Sequence, residues 1–313
     1  MITILNGDCR DVLKTLADQS VHCCVTSPPY FGLRDYGHSG QIGLEPTPNQ
    51  FVTELVSVFR EVKRVLRDDG TLWLNLGDSY ASYRDGKATP DTTRGENNGT
   101  LVPKGSAKNR MASTFAGTSV KHKDLIGIPW MVAFALRADG WYLRQDIIWN
   151  KPNPMPESVT DRCTKAHEYI FLLSKSDRYY FDNEAIKEDG VIPAGTKGAK
   201  GSADRQKQKG VNSRPPEYKI YDGKRNKRSV WTVTTKPFKG AHFATFPTQL
   251  IEPCILAGCP EGGTVLDPFG GSGTTGLVAN KHKRNALLIE LNPDYAELAS
   301  KRVLTPVQDG LPL

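Results

Sequence analysis

Short apolar runs with strand character alternate with segments of helical periodicity along most of this chain. That rhythm restricts it to an α/β architecture with a mainly parallel sheet. Thr3–Asn6 and Val21–Thr26 predict short buried strands, and between them Val12, Leu13 and Leu16 mark one face of a short helix. Phe51, Leu55, Val58, Phe59, Val62 and Leu66 recur at helical spacing. That helix is expected to stop at Asp69-Gly70, with a strand over Thr71–Leu76. A helix over Pro129–Ala138 and strands over Tyr142–Trp149 and His167–Leu173 follow. The C-terminal part repeats the pattern: strand Thr264–Leu266, helix Thr274–Lys281, strand Ala286–Glu290 and helix Pro293–Val303. With 313 residues, 38% of them hydrophobic, the chain can bury one sizeable core and carry a smaller lobe.

Several classes are set aside at once. Cys9, Cys23, Cys24, Cys163, Cys254 and Cys259 form no Cys-x-x-Cys pair, and no His/Cys spacing suggests zinc, so no metal is expected. They are read as buried free thiols in a reducing cytosol. Met1-Ile2-Thr3-Ile4-Leu5 lacks the basic start and long apolar run of a signal peptide. No apolar stretch approaches the ~20 residues of a membrane span. The expectation is a cytoplasmic protein without membrane contact.

Two polar stretches interrupt the alternation, Ser79–Asp124 and Ile186–Arg228. Residues 197–228 hold eleven Lys and Arg against three acids, a local excess of eight where the whole chain carries +7. Such a stretch is either a solvated insertion or a phosphate-binding surface, because Lys and Arg bind DNA by displacing counterions. On the second reading Lys219, Lys224, Arg225, Lys227 and Arg228 contact DNA.

Thr264-Val-Leu-Asp267-Pro-Phe269-Gly-Gly271-Ser272-Gly273-Thr274-Thr275 is a strand entering a glycine-rich turn that opens a helix. Glycines admit a ligand close to the backbone, and a helix N-terminus offers free N–H groups. A phosphate-binding P-loop needs Lys and Ser/Thr after its last glycine, and here Leu277-Val278 follow Gly276. A dinucleotide fingerprint is literally met by Gly271, Gly273 and Gly276, with Glu290 ending the next strand. S-adenosylmethionine uses the same physics, with the acid on its ribose. Both readings stay open on the loop alone; Asp267 tilts towards adenosylmethionine, whose ammonium it could face.

The strand Val21–Thr26 runs into Ser27-Pro28-Pro29-Tyr30. On structural grounds alone this is a proline-rich turn with Tyr30 as a packing residue. Its place at a strand end is where ligands bind in open α/β sheets, and its chemistry suits amine methylation. An exocyclic amine is a poor nucleophile because its lone pair is delocalised into the ring, and it needs acceptors for its two N–H groups as nitrogen becomes tetrahedral. Ser27 Oγ can accept one and the Pro28 carbonyl the other, held by two prolines of fixed φ. Tyr30 offers a stacking face for a base extruded from a duplex.

These motifs resemble the β-type amino-methylating DNA methyltransferases, over nearly the whole chain. In that family the catalytic motif comes first, a target-recognition region follows and the cofactor loop comes last, the order of Thr26–Tyr30, Ile186–Arg228 and Asp267–Thr275 here. Asn6-Gly7-Asp8 resembles the segment whose acid approaches the adenine. Val65-Leu66 through Asn75-Leu76-Gly77-Asp78 resembles the strand after the catalytic helix. Ile148-Trp149-Asn150-Lys151-Pro152 and His167-Glu168-Tyr169 resemble motifs shaping the base pocket, and Phe243 to Leu250 the segment closing over the methionine end.

The resemblance implies a Rossmann-like methyltransferase fold, a twisted, mostly parallel sheet with one antiparallel strand, helices on both faces and a basic inserted recognition region. It implies catalysis by Ser27, Pro28, Pro29 and Tyr30, and S-adenosylmethionine held by Asp8, Thr26, Phe246, Asp267, Phe269, Gly271, Ser272, Gly273, Thr274 and Glu290. Residues 1–185 would form the catalytic half with an insertion at 79–124, residues 186–230 the target-recognition region, and residues 231–313 the cofactor half. Double-stranded DNA is the implied partner; a homodimer and a cognate restriction nuclease stay open. Ser at the first motif position is commoner in the cytosine-N4 enzymes of this family, so cytosine N4 is favoured, with adenine N6 the alternative. The readings outside this class are an NAD-binding enzyme and a catalytically silent DNA-binding relative.

Overall fold

The computed structural model describes residues 1–33, 37–38, 40–81, 118–196, 220–235 and 246–304. In chain order these form β1 (Ile2–Asn6), α1 (Cys9–Thr15), β2 (Val21–Thr26), α2 (Pro48–Val65), β3 (Leu66–Leu76), α3 (Ile128–Ala138), β4 (Tyr142–Asn150) and β5 (His167–Ser174). A 3₁₀ turn (Glu184–Ile186) and the two-residue strands β6 (Glu188–Asp189) and β7 (Lys224–Arg225) come next. The chain then continues through β8 (Val230–Thr232), α4 (Thr248–Gly258), β9 (Thr264–Asp267), α5 (Thr274–Lys281), β10 (Asn285–Glu290) and α6 (Pro293–Leu304).

Among the described residues, eight strands make one sheet in the order β1-β10-β9-β2-β3-β5-β4-β8. Every neighbouring pair is parallel except those involving β5, which runs against both β3 and β4. The expected single antiparallel strand is therefore β5. Alternate strand residues serve opposite faces. Cys24, Leu72, Leu74 and Leu266 pack into the core built with Leu13, Phe51, Leu55, Phe59, Val132 and Leu136 of α1–α3. On the other face α4 lies against Cys23 and Trp73, and α5 against Leu288. Both faces are covered, as a mainly parallel sheet requires.

Helix α2 starts where Thr47 caps it, accepting from the Gln50 N–H at 3.2 Å, with Pro48 preset in the first turn. It ends at Val65, earlier than expected, and β3 begins directly at Leu66 rather than at Thr71. Leu66 is fully buried opposite Val21, and the register shifts before Cys23 meets Thr71, so pairing with β2 claims residues that continued the helical spacing. Helix α4 was not anticipated. Pro253 lies within it, and a proline reads as a helix breaker in sequence.

Two compact units divide the chain: Met1–Phe181 with Ser229–Leu313, and Asp182–Arg228. The second contains the β6–β7 ribbon, paired Glu188 to Arg225 and Asp189 to Lys224. Residues 82–117 and 197–219, which include most of both polar stretches and Lys219, lie outside the described residues.

Strand direction decides where chemistry can gather. From β2 the chain crosses to β3 on one side, and from β9 to β10 on the other, so connections diverge between β9 and β2. A crevice opens at the carboxyl ends of strands at such a switch point. Because β5 is reversed, its amino end, His167-Glu168, lies level with the carboxyl end of β4, Trp149-Asn150.

Candidate active site

At this edge one cavity of about 830 Å³ is lined by residues from both predicted motifs. Ser27, Pro28, Pro29 and Tyr30 line it on one side, with Asn75, Trp149, Lys151 and Glu168. Asp8, Phe246, Asp267, Phe269, Gly271, Ser272, Thr274 and Glu290 line it on the other. The volume falls in the usual range for a small-molecule site, which runs to roughly 1,000 Å³.

Tyr30 is held more firmly than a packing residue would be. Its hydroxyl donates to Glu168 Oε2 at 2.7 Å, and its ring crosses so close to Gly77 that a Cβ there would sit 2.5 Å from Cε2. Burial, then the Glu168 carboxylate, raises the Tyr30 hydroxyl well above the usual range; Ser27 and the Gly77 backbone oppose this with hydrogen bonds. Tyr30 is therefore a neutral phenol fixed at both ring and hydroxyl.

Asp267 is buried to 1% exposure at the end of β9. Thr26 Oγ1 donates to one carboxylate oxygen at 2.6 Å and Thr275 Oγ1 to the other at 2.6 Å, and the Phe269 N–H adds a bond at 3.1 Å. Burial pushes its carboxyl up to about 6 despite these three donors. Its oxygens thus tie β2, β9 and α5 together, an inward commitment that the local sequence does not announce. Thr26 is part of that tie and does not border the cavity.

The glycine loop divides its work. A Cβ on Gly271 (φ +50°) would meet the Phe269 carbonyl at an ordinary contact distance of 3.9 Å, whereas a Cβ on Gly273 (φ +81°) would meet Ala299 and Val303 of α6 at 3.0 and 3.1 Å. Gly271 therefore leaves room for a ligand, and Gly273 makes room for a helix behind the cavity wall. Glu290, at the end of β10, accepts from the Gly271 N–H at 2.7 Å and the Asn292 N–H at 2.9 Å. Burial raises its carboxyl above the normal range, against those two bonds. Asp8 caps α1 through the Arg10 N–H at 2.9 Å and pairs with the Arg10 guanidinium at 2.5 Å. Burial pushes the Asp8 carboxyl up, but Arg10 outweighs it and the net shift is downward.

Comparison with known proteins identifies the family and its cofactor. A family model described as DNA methylase matches residues 21–301. The chain belongs to this DNA methylase family. It is 49% identical over 301 residues to the type II methyltransferase M.Cfr9I of Citrobacter freundii, covering 96% of this chain and 87% of that one. It is 48% identical to the type II methyltransferase M.SmaI of Serratia marcescens, covering 96% and 90%. The fold is similar to that of the PvuII DNA methyltransferase (cytosine-N4-specific), with a TM-score of 0.63 at 19% identity over 98% of this chain and 87% of the other. It is also similar to a DNA modification methylase of Thermus thermophilus complexed with S-adenosyl-L-methionine, with a TM-score of 0.59 at 25% identity over 97% and 93%.

This DNA methylase draws its methyl group from S-adenosylmethionine, so the NAD reading of the glycine loop falls. The cavity's residues fit that cofactor on their own geometry: Gly271 lines it without a side chain, Glu290 ends the adjoining strand, Phe246 and Phe269 offer apolar surface, and Asp8 supplies an acid.

Sequence reasoning missed Arg302, and it placed Asn75, Lys151 and Glu168 in family-like motifs without their mutual contacts. Arg302 of α6 reaches back to Ser272 Oγ and Thr274 Oγ1, both at 2.9 Å, and to the Ser272 carbonyl at 3.1 Å. These hydroxyls, expected to face the cofactor, anchor the loop to α6, and burial lowers the guanidinium's affinity for its proton. Asn75 Nδ2 donates to Glu168 Oε2 at 3.2 Å and to the Tyr169 carbonyl at 3.1 Å. Lys151 is ion-paired with Glu168 Oε1. A lone Arg near a chain end carries no motif, and Lys151 and Glu168 meet only because β4 and β5 pair.

The second unit holds the other predicted site. Lys224 pairs with Asp189 at 2.5 Å, while Arg225 and Arg228 converge on Glu188 Oε1 at 2.9 and 2.6 Å. Among the described residues, three of the expected DNA-binding side chains are thus engaged with carboxylates of their own unit. No helix among the described residues is long and apolar enough to cross a membrane.

Proposed function

We propose that this methylase transfers a methyl group to N4 of a cytosine flipped out of double-stranded DNA. The observation that carries the reading is that Ser27 and Pro28 share one cavity with Gly271 and Glu290, so a base amine at the first pair would lie near a cofactor at the second. Cytosine rather than adenine is favoured because a serine occupies the first position of the motif.

When bound, S-adenosylmethionine supplies a methyl on a positively charged sulfur that departs as a neutral thioether. The chain's own groups supply the placement. Ser27 Oγ and the Pro28 carbonyl accept the two N–H groups of the amine, drawing electron density back to nitrogen and aiming its lone pair. One of those protons becomes acidic as the new N–C bond forms and passes to solvent water, so no strong base is required. Tyr30, pinned by Glu168 and Gly77, stacks against the base. Positioning and polar preorganisation carry most of the rate. Nucleosides digested from DNA methylated by the enzyme should contain N4-methylcytosine; N6-methyladenine as the sole product would overturn the choice of base.

Residues 186–230, which overlap the compact unit Asp182–Arg228, serve in this reading as the target-recognition region, in a cytoplasmic enzyme. Neutralising Lys224, Arg225, Lys227 and Arg228 together should flatten the log–log salt dependence of DNA binding, by about one unit for each phosphate that is no longer neutralised. An unchanged slope would mean that these side chains serve only the ion pairs of their own unit.

A further inference from the structure

Lys151 and Glu168 form an ion pair inside the active cavity, with side chains only 18% and 15% exposed. Removing two charges from water is costly, and replacing such a pair by apolar groups is often neutral or stabilising. Methyl transfer through Ser27, Pro28 and Tyr30 gives Lys151 no task.

The pair's geometry suggests one. Lys151 directly follows β4, and its N–H bonds the Ala166 carbonyl at 2.8 Å. Glu168 stands opposite Trp149, so it is the diagonal cross-strand neighbour of Lys151. Asn75 approaches Glu168 from the β3 side. Glu168 Oε2 receives Tyr30 and Asn75, and Oε1 receives Lys151. The ammonium has three N–H donors. One goes to Glu168, and the charge rests 4.2 Å from the centre of the Trp149 ring. No further acceptor for Lys151 occurs among the described residues, and its side chain borders the cavity that also holds Ser27 and Tyr30.

We infer that Lys151, positioned by Glu168 and Trp149, reads the ring edge of the flipped base and selects cytosine over adenine. This rests on the cytosine-N4 reading. A cytosine whose amine meets Ser27 and the Pro28 carbonyl presents N3 and then O2 along its edge, two acceptors in a row. An ammonium donor is complementary to that pair. Adenine in the same pose presents N1 and then a C–H, so the second position offers a desolvated ammonium nothing to bind. Because Glu168 also holds Tyr30, one carboxylate fixes both the stacking ring and the edge reader.

The test compares single-turnover rates on duplexes carrying either cytosine or adenine at the target position. In Lys151→Met the cytosine rate should fall about 10–100-fold, the range for losing a hydrogen bond from a charged donor. Slow transfer to adenine should change little, so the cytosine-to-adenine ratio collapses. The double variant Lys151→Met with Glu168→Gln removes the charge left unpaired and should show the same collapse. Calorimetric binding of S-adenosylmethionine reports that each variant is folded. Equal losses on both bases, or a retained cytosine rate, would overturn the role of Lys151. Wild-type enzyme yielding only N6-methyladenine would overturn the choice of base and this inference with it, whereas N4-methylcytosine from the wild type with an unchanged ratio in Lys151→Met overturns this inference alone.

Discussion

Ser27→Ala is expected to slow methyl transfer by about 10²–10³-fold, the loss typical of removing one preorganised polar group at a reacting centre. Ser27 follows β2 directly, on the cavity wall, where its backbone is set by the strand before it and the two prolines after it. The substitution deletes one acceptor for the amine and keeps the Pro28 carbonyl. Nothing on the Gly271 and Glu290 side is touched, so affinity for S-adenosylmethionine should stay close to that of the wild type. Single-turnover methylation at saturating DNA and cofactor isolates the step. A variant running at the wild-type rate would remove Ser27 from the chemistry.

Tyr30→Ala should cost about 5–150-fold in rate and also weaken capture of the flipped base, since stacking on an aromatic face contributes roughly 1–3 kcal/mol. The two effects separate in the dependence of the single-turnover rate on DNA concentration. Tyr30→Phe is the discriminating companion. It keeps the ring but loses the 2.7 Å bond to Glu168, so it should retain more activity than Tyr30→Ala while showing some loss. If Tyr30→Ala keeps full activity, the base stacks elsewhere; if Tyr30→Phe and Tyr30→Ala are equally slow, the hydroxyl anchor outweighs the ring.

Much of the fold was legible because the signals are local. Period-3.6 apolar spacing marked α2, and strand β2 was bounded as the structure has it, Val21–Thr26. Misreadings came where pairing partners overrode local pattern. Leu66 continued the helical stripe of Phe51, Leu55 and Val62, yet it pairs with Val21 in the sheet. Pro253 disguised α4, whose buried residues Leu250, Cys254 and Ile255 face the sheet or neighbouring helices. Of the residues expected to hold cofactor, Ser272 and Thr274 share the glycine loop with Gly271, and Thr26 ends β2. The Thr26 hydroxyl bonds Asp267 and those of Ser272 and Thr274 bond Arg302, and no short motif encodes which way a hydroxyl at a strand end or in a glycine loop points.

By itself the sequence determined the class of this protein: an α/β chain with Ser27-Pro28-Pro29-Tyr30 and a glycine loop, each following a buried strand, in the order of the β-type DNA methyltransferases. Those features are contiguous, so backbone restriction by proline, freedom at glycine and strand burial can be read residue by residue. Only the tertiary structure decided what surrounds them. Glu168 reaches Tyr30 because β5 runs backwards and brings its amino end to the carboxyl edge of the sheet. Lys151 reaches Glu168 because β4 and β5 pair in one particular register. Arg302 reaches the glycine loop because α6 packs against Gly273, which has no side chain to hold it away. Each contact joins residues distant along the chain through strand order and helix packing, and those are properties of the whole buried core.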